Sequence, residues 1–209
     1  MYLPEHFAEN RPAVLQQLIA AQPLATLVTH GEGGLDANHI PLLLDPQAGP
    51  HGTLRGHIAR ANPLARHPGG EVLVIFQGPQ AYISPNWYPS KAEHGQAVPT
   101  WNYAVVHARG PLRIVDDPVW LRAQLEQLTA RHEAVQARPW QLSDAPEDFL
   151  ARQLRAIVGI EIPIASLSGK WKTSQNRLPA DRDGVVRGLQ AAGGEQAMAM
   201  AALVSQPAR

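Results

Sequence analysis

The sequence predicts an α+β fold that is mainly β: an antiparallel barrel or sandwich covered by helices. Between residues 24 and 115, six or seven short apolar runs alternate with Gly- and Pro-containing turns, the spacing of an antiparallel barrel. Segments with helical apolar spacing flank that region on both sides. The content of 44% apolar and 17% charged residues is that of a folded globular chain. Since 209 residues suffice for one good core, we expect a single domain over residues 1–209.

The first half of the chain predicts one helix followed by a series of strands. The helix ends at Pro23, and residues 24–30 and 35–45 then form a hairpin around the turn 31–34. The further predicted elements are strands at 53–58, 71–77, 81–84 and 100–115, a short helical turn at 61–67, a turn at Gly78-Pro79 and a bend at Gly110-Pro111.

The second half predicts two helices, one more barrel strand and a helical tail. Asp116 or Asp117 caps the first helix, with Pro118 in its first turn and an apolar face of Leu121, Leu125, Leu128 and Val135. Asp144 and Glu147 suggest a capping box for the second helix, with Gly159 as its stop and a face of Phe149, Leu150, Leu154 and Ile157. Residues 160–172 predict the strand, and the Ala-rich tail from about 181 to 204 predicts the last helix.

Composition excludes several classes of function. Lys plus Arg and Asp plus Glu both total 18, which does not favour a protein that grips nucleic acid through its phosphates. The absence of cysteine rules out disulfides, thiolate nucleophiles and Cys-ligated metal centres. The N-terminus lacks a signal pattern, and no apolar run approaches the roughly 18 residues of a membrane span. We therefore expect a cytoplasmic protein without a membrane partner.

Aromatic residues are concentrated in the segment 77–107. It holds five of the nine Trp and Tyr residues of the chain, mixed with asparagine, serine, threonine and histidine. A core strand has little use for so many polar groups, because a buried polar group without a partner costs roughly 1–3 kcal/mol. The mixture predicts the wall of a site for a planar ligand with a polar rim.

Two polar clusters accompany this segment. GHIARANP (56–63) and KWKTSQNR (170–177) each combine cations with amide or hydroxyl groups, which suits an anion or the edge of a heterocycle. For both clusters a solvated loop remains an equal alternative. The histidines show no tight metal-ligand spacing, so we expect no metal site, and hydrolase, Rossmann and Walker motifs are missing.

Six segments in the same order resemble the PaiB-type family of FMN-binding negative transcriptional regulators. They are MYLPEHF, HIPLLLD, GHIARANP, YISPNWY, VPTWNYAVVHARG and KTSQNRLPADRDGVVRGL, and together they extend from Met1 to about Leu189. The resemblance implies an FMN-binding split β-barrel with antiparallel, Greek-key-like strands and flanking helices. It also implies a homodimer with FMN at the subunit interface.

The resemblance assigns cofactor-binding roles to twelve residues. His57, Arg60 and Asn62 are expected to contact the phosphate or ribityl chain, and Trp101, Asn102, Tyr103, Tyr82 and Ser84 to lie by the ring. Lys172, Ser174, Gln175 and Arg177 are expected to close the site, from the same subunit or its partner. No residue identifies itself as a catalytic acid or base.

Three alternatives stay open at this stage. DNA binding is implied by the family name, but the charges on the two central helices are balanced. A flavin-dependent oxidoreductase would use the same cofactor, which supplies the chemistry while the protein supplies placement. Haem held by a histidine ranks below FMN.

Overall fold

The computed structural model describes residues 1–31, 33–67 and 69–206. In this part of the chain the strands are β1 (Ala8–Glu9), β2 (Leu24–Gly31), β3 (Gly34–Pro41), β4 (Leu43–Asp45), β5 (Thr53–Ala59), β6 (Glu71–Ile83), β7 (Thr100–Pro111), β8 (Arg113–Val115), β9 (Ile157–Pro163) and β10 (Ser166–Lys172). The helices are α1 (Pro12–Ala21), α2 (Lys91–His94), α3 (Pro118–Glu133), α4 (Glu147–Arg155), α5 (Pro179–Ala192) and α6 (Glu195–Ser205). None of these helices is both long and apolar enough to cross a membrane.

The chain folds as two compact units. Unit 1 comprises Met1–Leu18, Gln77–Val106 and the chain from Ser168 onward, and unit 2 comprises Ile19–Phe76 and His107–Leu167. The long strands β6 and β7 each begin in one unit and end in the other. Every strand pairing with a described register is antiparallel, as predicted for a mainly β fold.

Unit 1 contains the strand order β1-β10-β7-β6 together with α5 and α6. Its apolar cluster joins the end of β6 to the two C-terminal helices, with Ile83, Val185, Leu189, Met200 and Val204 at 1% exposure or less. Burying each such side chain contributes about 1.5–3 kcal/mol relative to leaving it in water. The helices that follow β10 are therefore part of the core of this unit.

Unit 2 contains β6-β2-β3 in one sheet and β4-β5-β9-β8 in a second. The hairpin of β2 and β3 is confirmed, but Gly31 pairs with Gly34, so the predicted four-residue turn is shorter. Glu32 in that turn lies outside the described residues. The predicted strand 35–45 is interrupted at Leu42, after which β4 pairs with β5.

The predicted turn at Gly78-Pro79 is wrong, because β6 continues through it to Ile83. A Cβ on Gly78 would lie 2.7 Å from Cδ1 of Leu18, so glycine serves close packing at this position. Pro79 lies beyond Ile75, the last β6 residue in the described register with β2. Its missing N–H therefore costs no hydrogen bond to that neighbour.

The first of the two central helices is confirmed, with Asp117 as its cap. Asp117 Oδ1 accepts from the backbone N–H of Val119 at 2.8 Å and of Trp120 at 3.3 Å. Val135 lies beyond the end of α3 and is 86% exposed, so its predicted place on the apolar face is wrong.

The predicted start and stop of the second helix are wrong. Asp144 accepts from the backbone N–H of Gln141 at 2.9 Å and caps the preceding 3-10 turn, so α4 begins at Glu147 without that capping box. The helix ends at Arg155, and Gly159 lies inside β9. A Cβ on Gly159 would be 2.3 Å from Cζ3 of Trp120, which explains why glycine stands there.

Two further predicted elements are each divided. Residues 160–172 hold the end of β9 and the whole of β10 rather than one strand. The helical tail is confirmed but breaks into α5 and α6 at Gly193 and Gly194, whose φ angles of 69° and 82° favour glycine.

Candidate functional site

A buried amide and hydroxyl pair in unit 1 links β7 to the loop after β10. Asn102, which is 1% exposed, donates from Nδ2 to Oγ of Ser174 at 2.9 Å. Its Oδ1 has no hydrogen-bond partner among the described residues. Ser174 has a φ of 59°, in the left-handed region that residues other than glycine seldom adopt. Backbone strain and an unsatisfied buried oxygen are both typical of functional sites.

Lys172 lies at the end of β10 among other positive charges. Its Nζ donates to Oγ1 of Thr100. Burial is the main cause that lowers the pKa of the Lys172 ammonium; Tyr103 opposes it, and the charges of Lys170 and Arg177 lower the pKa by smaller amounts. A bound anion would stabilise this partly buried ammonium against both burial and the neighbouring positive charges. The end of β10 therefore favours an anionic group such as a phosphate.

Lys170 is buried in an aromatic environment. Its Nζ donates to the backbone oxygen of Tyr2 at 3.1 Å and lies 5.6 Å from the ring centroid of Tyr2, 6.0 Å from that of Phe7 and 5.4 Å from that of Tyr103. Ring faces attract a cation, so the three aromatic residues stabilise this charge. Tyr103, a predicted site residue, therefore contacts Lys170, which lies two residues before Lys172 on β10.

Gln175 and Arg177 hold the loop that carries Ser174. Gln175 donates from Nε2 to the backbone oxygens of His6 at 3.0 Å and Trp171 at 2.6 Å. The guanidinium of Arg177 lies 5.0 Å from the ring centroid of Tyr88. Gln175 is therefore engaged in fixing the loop, and Arg177 lies against the Tyr88 ring while its charge also acts on Lys172.

The predicted residues His57 and Arg60 belong to unit 2, where each has a partner within the chain. His57 Nδ1 lies 3.1 Å from Oε1 of the buried Gln124. Arg60 donates to both carboxylate oxygens of Asp116 at 2.6 and 2.7 Å and to two backbone carbonyls at 3.0 and 3.1 Å. This contact holds the pKa of Asp116 below its usual range. Most of the Arg60 donors are thus engaged by the protein.

Asn62, the third residue of that predicted set, caps a 3-10 turn. Its Oδ1 accepts from the backbone N–H of Leu64 at 2.9 Å, and its Nδ2 donates to Oδ1 of Asn38 at 2.9 Å. The helix-cap alternative for Asn62 is confirmed.

Tyr82 and Trp101 border a groove in unit 1, which we call the aromatic groove. Their ring centroids are 6.2 Å apart at an interplanar angle of 65°, and each side chain is about half exposed. The lining of the groove includes these two rings but not Asn102 or Lys172. Ser84 has a structural contact nearby, because its Oγ accepts from the backbone N–H of Asn86 at 3.2 Å.

Two residues outside the twelve assigned cofactor contacts take part in this cluster. Oγ1 of Thr100 accepts a hydrogen bond from the Lys172 ammonium, and Lys170 adds to the positive charge. The repeated Lys-x-Lys spacing was a usable signal, because alternate residues of a strand share one face.

No group of three metal-ligating side chains occurs within residues 1–31, 33–67 and 69–206. Burial lowers the pKa of His107, which favours its neutral form.

Comparison with known proteins identifies the family. Residues 1–166 match the model of the family described as "putative FMN-binding domain". The chain belongs to this family. It is 36% identical to an uncharacterized protein of Emericella nidulans over 99% of this chain and 97% of that one. It is 31% identical to the Bacillus subtilis protein named "Protease synthase and sporulation protein PAI 2", over 98% of this chain and 96% of that one. The resemblance to the PaiB-type family is thereby confirmed.

Solved structures show the fold. The FAD and haem binding protein from Mycobacterium smegmatis matches with a TM-score of 0.56 at 17% identity, covering 79% of this chain and 73% of that one. The flavocytochrome Anf3 from Azotobacter vinelandii matches with a TM-score of 0.57 at 13% identity, covering 81% and 72%. The predicted split-barrel fold is confirmed.

Proposed function

We propose that this protein binds FMN and that a positive cluster at the end of β10 holds the cofactor phosphate. This cluster consists of Lys170, Lys172 and Arg177, with the hydroxyl of Thr100. The observation that carries the proposal is the partly buried ammonium of Lys172, which lies against the Thr100 hydroxyl and is influenced by the positive charges of Lys170 and Arg177. Membership of a family described by FMN binding supports it independently.

The donors of unit 1 fit FMN chemically. A phosphate needs cations and hydroxyl donors, which Lys172, Arg177 and Thr100 supply. The ring of FMN has an N–H donor and carbonyl acceptors along its polar edge, and the unsatisfied Asn102 oxygen is an acceptor of the matching kind. When bound, FMN would supply electron and hydride transfer, while the protein would orient it and exclude water.

Arg60 has a different place in this proposal. Since Asp116 and two carbonyls engage its guanidinium, we assign the main phosphate contact to Lys172. The contact of Arg60 with FMN remains a prediction.

Replacing Lys172 with methionine is expected to weaken FMN binding. Loss of one charge-assisted hydrogen bond corresponds to roughly a ten- to hundredfold rise in Kd. Wild-type affinity should also fall as the pH rises through the lowered Lys172 pKa, because the neutral amine no longer attracts the phosphate. Titration of FMN fluorescence against the apoprotein at several pH values measures both effects.

Lys91→Met is the matched control, since it removes the same group from a lysine that donates to Asn86 instead. Lys172→Arg should retain most of the affinity and Lys91→Met all of it. Unchanged affinity in Lys172→Met, with loss in Arg60→Ala, would return the phosphate to the unit 2 residues. Failure of the wild type to bind FMN would refute the cofactor proposal itself.

The protein acts, in this proposal, as a homodimeric negative regulator that does not grip DNA by a basic helix face. The name of the Bacillus relative, "Protease synthase and sporulation protein PAI 2", refers to sporulation, which supports a regulatory role. Two of the helix cations are paired with carboxylates: Arg122 contacts Glu126 at 3.4 Å and Glu147 at 2.7 Å, and Arg152 contacts Asp148 at 2.7 Å. Such paired charges leave little to attract DNA phosphates.

We expect a dimer by analytical ultracentrifugation and only weak DNA binding by gel shift. Fragments from upstream of its own gene should bind in the non-specific range, with Kd of about a micromolar or weaker at physiological salt. A tight complex that survives competitor DNA would show that the protein reads an operator directly. A monomer at all concentrations, with and without FMN, would contradict the interface site.

A further inference from the structure

The aromatic groove of unit 1 is a second concave surface with its own chemistry. It has a volume of about 640 Å³ and is walled by Tyr82, Trp87 and Trp101, with Leu189 and Glu195 among the other lining residues. Tyr82 is 49% exposed and Trp101 48% exposed. Contiguous exposed aromatic surface of this kind usually marks a binding site in a folded protein.

The walls of the groove are held in place before any ligand arrives. Trp101 donates from Nε1 to Oε1 of Gln80 at 3.1 Å, and its ring meets that of Tyr82 edge to face. Trp87 is fixed from the other side by α5, where a Cβ on Gly188 would lie 2.2 Å from Cδ2 of the indole. Rigid aromatic walls lose little conformational entropy on binding, so they favour a flat, rigid ligand.

The charge of the groove distinguishes it from the end of β10. Its described lining contains no lysine, and the only carboxylate among the lining residues is that of Glu195, in the first turn of α6. No arginine lines it either. The N-terminal dipole of α6 is equivalent to roughly half a positive charge, so Glu195 leaves the mouth of the groove negative. An FMN phosphate has no cationic partner among these residues.

We propose that the aromatic groove binds a planar aromatic cation. Indole and phenol faces attract positive charge, and the Glu195 carboxylate adds attraction at the rim. This site goes beyond FMN binding and does not depend on it, because the groove lining shares neither Lys172 nor Asn102 with the phosphate cluster.

Three fluorescent or absorbing tricyclic probes of similar size test the proposal by their charge. Proflavine is cationic, acridone is neutral and anthraquinone-2-sulfonate is anionic. Titration of each against the full-length protein, with and without saturating FMN, should give the order proflavine, acridone, anthraquinone sulfonate from tightest to weakest. FMN should not displace proflavine.

Two variants locate the site. Trp101→Leu should weaken proflavine binding roughly tenfold through loss of the ring face. Glu195→Gln, a change at an exposed helix start, should weaken proflavine about threefold, the effect of one exposed charge pair, and leave acridone unchanged. Trp140→Leu, at a partly exposed tryptophan of unit 2, is the matched control and should bind proflavine as the wild type does.

The outcomes separate this proposal from that for FMN. Equal affinity for the three probes, or proflavine binding that neither variant changes, would overturn the proposed cation site. Stoichiometric displacement of proflavine by FMN, with loss of FMN affinity in Trp101→Leu, would overturn it and make the groove the site of the flavin ring. If FMN fails to bind but the expected probe order holds, the FMN proposal is refuted and the cation site is supported.

Discussion

Replacing Gly184 with alanine is expected to lower the free energy of unfolding by about 3 kcal/mol, the upper part of the range for overpacking a close contact. A Cβ at this position would lie 1.9 Å from the backbone oxygen of Trp87 and 3.1 Å from its carbonyl carbon. A backbone carbonyl cannot rotate away as a side chain can, so α5 must move away from the 3-10 turn Pro85–Trp87 that follows β6. Helix propensity alone predicts the opposite sign, since alanine stabilises a helix interior by about 1 kcal/mol relative to glycine.

Chemical denaturation followed by tryptophan fluorescence and circular dichroism measures this effect. Gly31→Ala is the matched control, because a Cβ there meets no atom within 4 Å and Gly31 does not have a positive φ. Its stability should stay within about 0.5 kcal/mol of the wild type. A Gly184→Ala protein as stable as the wild type, or more so, would show that α5 does not lie against Trp87.

Replacing Gly159 with alanine is expected to cost about 2 kcal/mol, because the added methyl group meets the Trp120 ring. The distances from the added Cβ to Cζ3 and Cε3 of that ring would be 2.3 and 2.8 Å. In a Trp120→Leu background the same change should cost little, since the shorter side chain vacates the space. Denaturation of the two single variants and the double variant gives their coupling energy, expected to exceed about 1 kcal/mol.

Additive costs in this cycle would mean that Gly159 is not constrained by Trp120. Strand propensity acts against this loss of stability and favours alanine, because glycine weakens the interior of a strand. A measured loss of stability in Gly159→Ala therefore reports the contact with α3 rather than the backbone.

Local signals in the sequence were sufficient to predict an element where the deciding contact lies within a few residues along the chain. Asp117 caps α3 because its carboxylate reaches the next two backbone N–H groups, and proximity in sequence guarantees that contact. Gly78 and Gly159 misled the prediction because glycine also occurs where another element packs against the backbone. The second role depends on partners far away in sequence, namely Leu18 and Trp120, which periodicity does not show.

The contrast between contacts close in sequence and contacts distant in sequence also applies to the candidate site. The sequence identifies Lys172, Ser174 and Asn102 as suitable donors, and Asn102 and Ser174 do meet, 72 residues apart. It does not show that Asp116 would engage Arg60 from 56 residues away. Residue types near a turn indicate what chemistry is available. Only the long-range pairings show which of those groups remain free to bind a ligand.

The C-terminal segment of unit 1, from Ser168 onward, decides which fragments of this protein can be expressed. The family match ends at residue 166, where β10 begins. A fragment cut at that boundary would lack the strand that pairs with β1 and neighbours β7. It would also lack the side chains that bury Ala81 and Ile83, namely Val185, Leu189, Met200 and Val204. Open strand edges beside exposed apolar surface promote association between chains. The segment 1–166 alone is therefore a poor choice for recombinant expression, and fusion partners belong after α6.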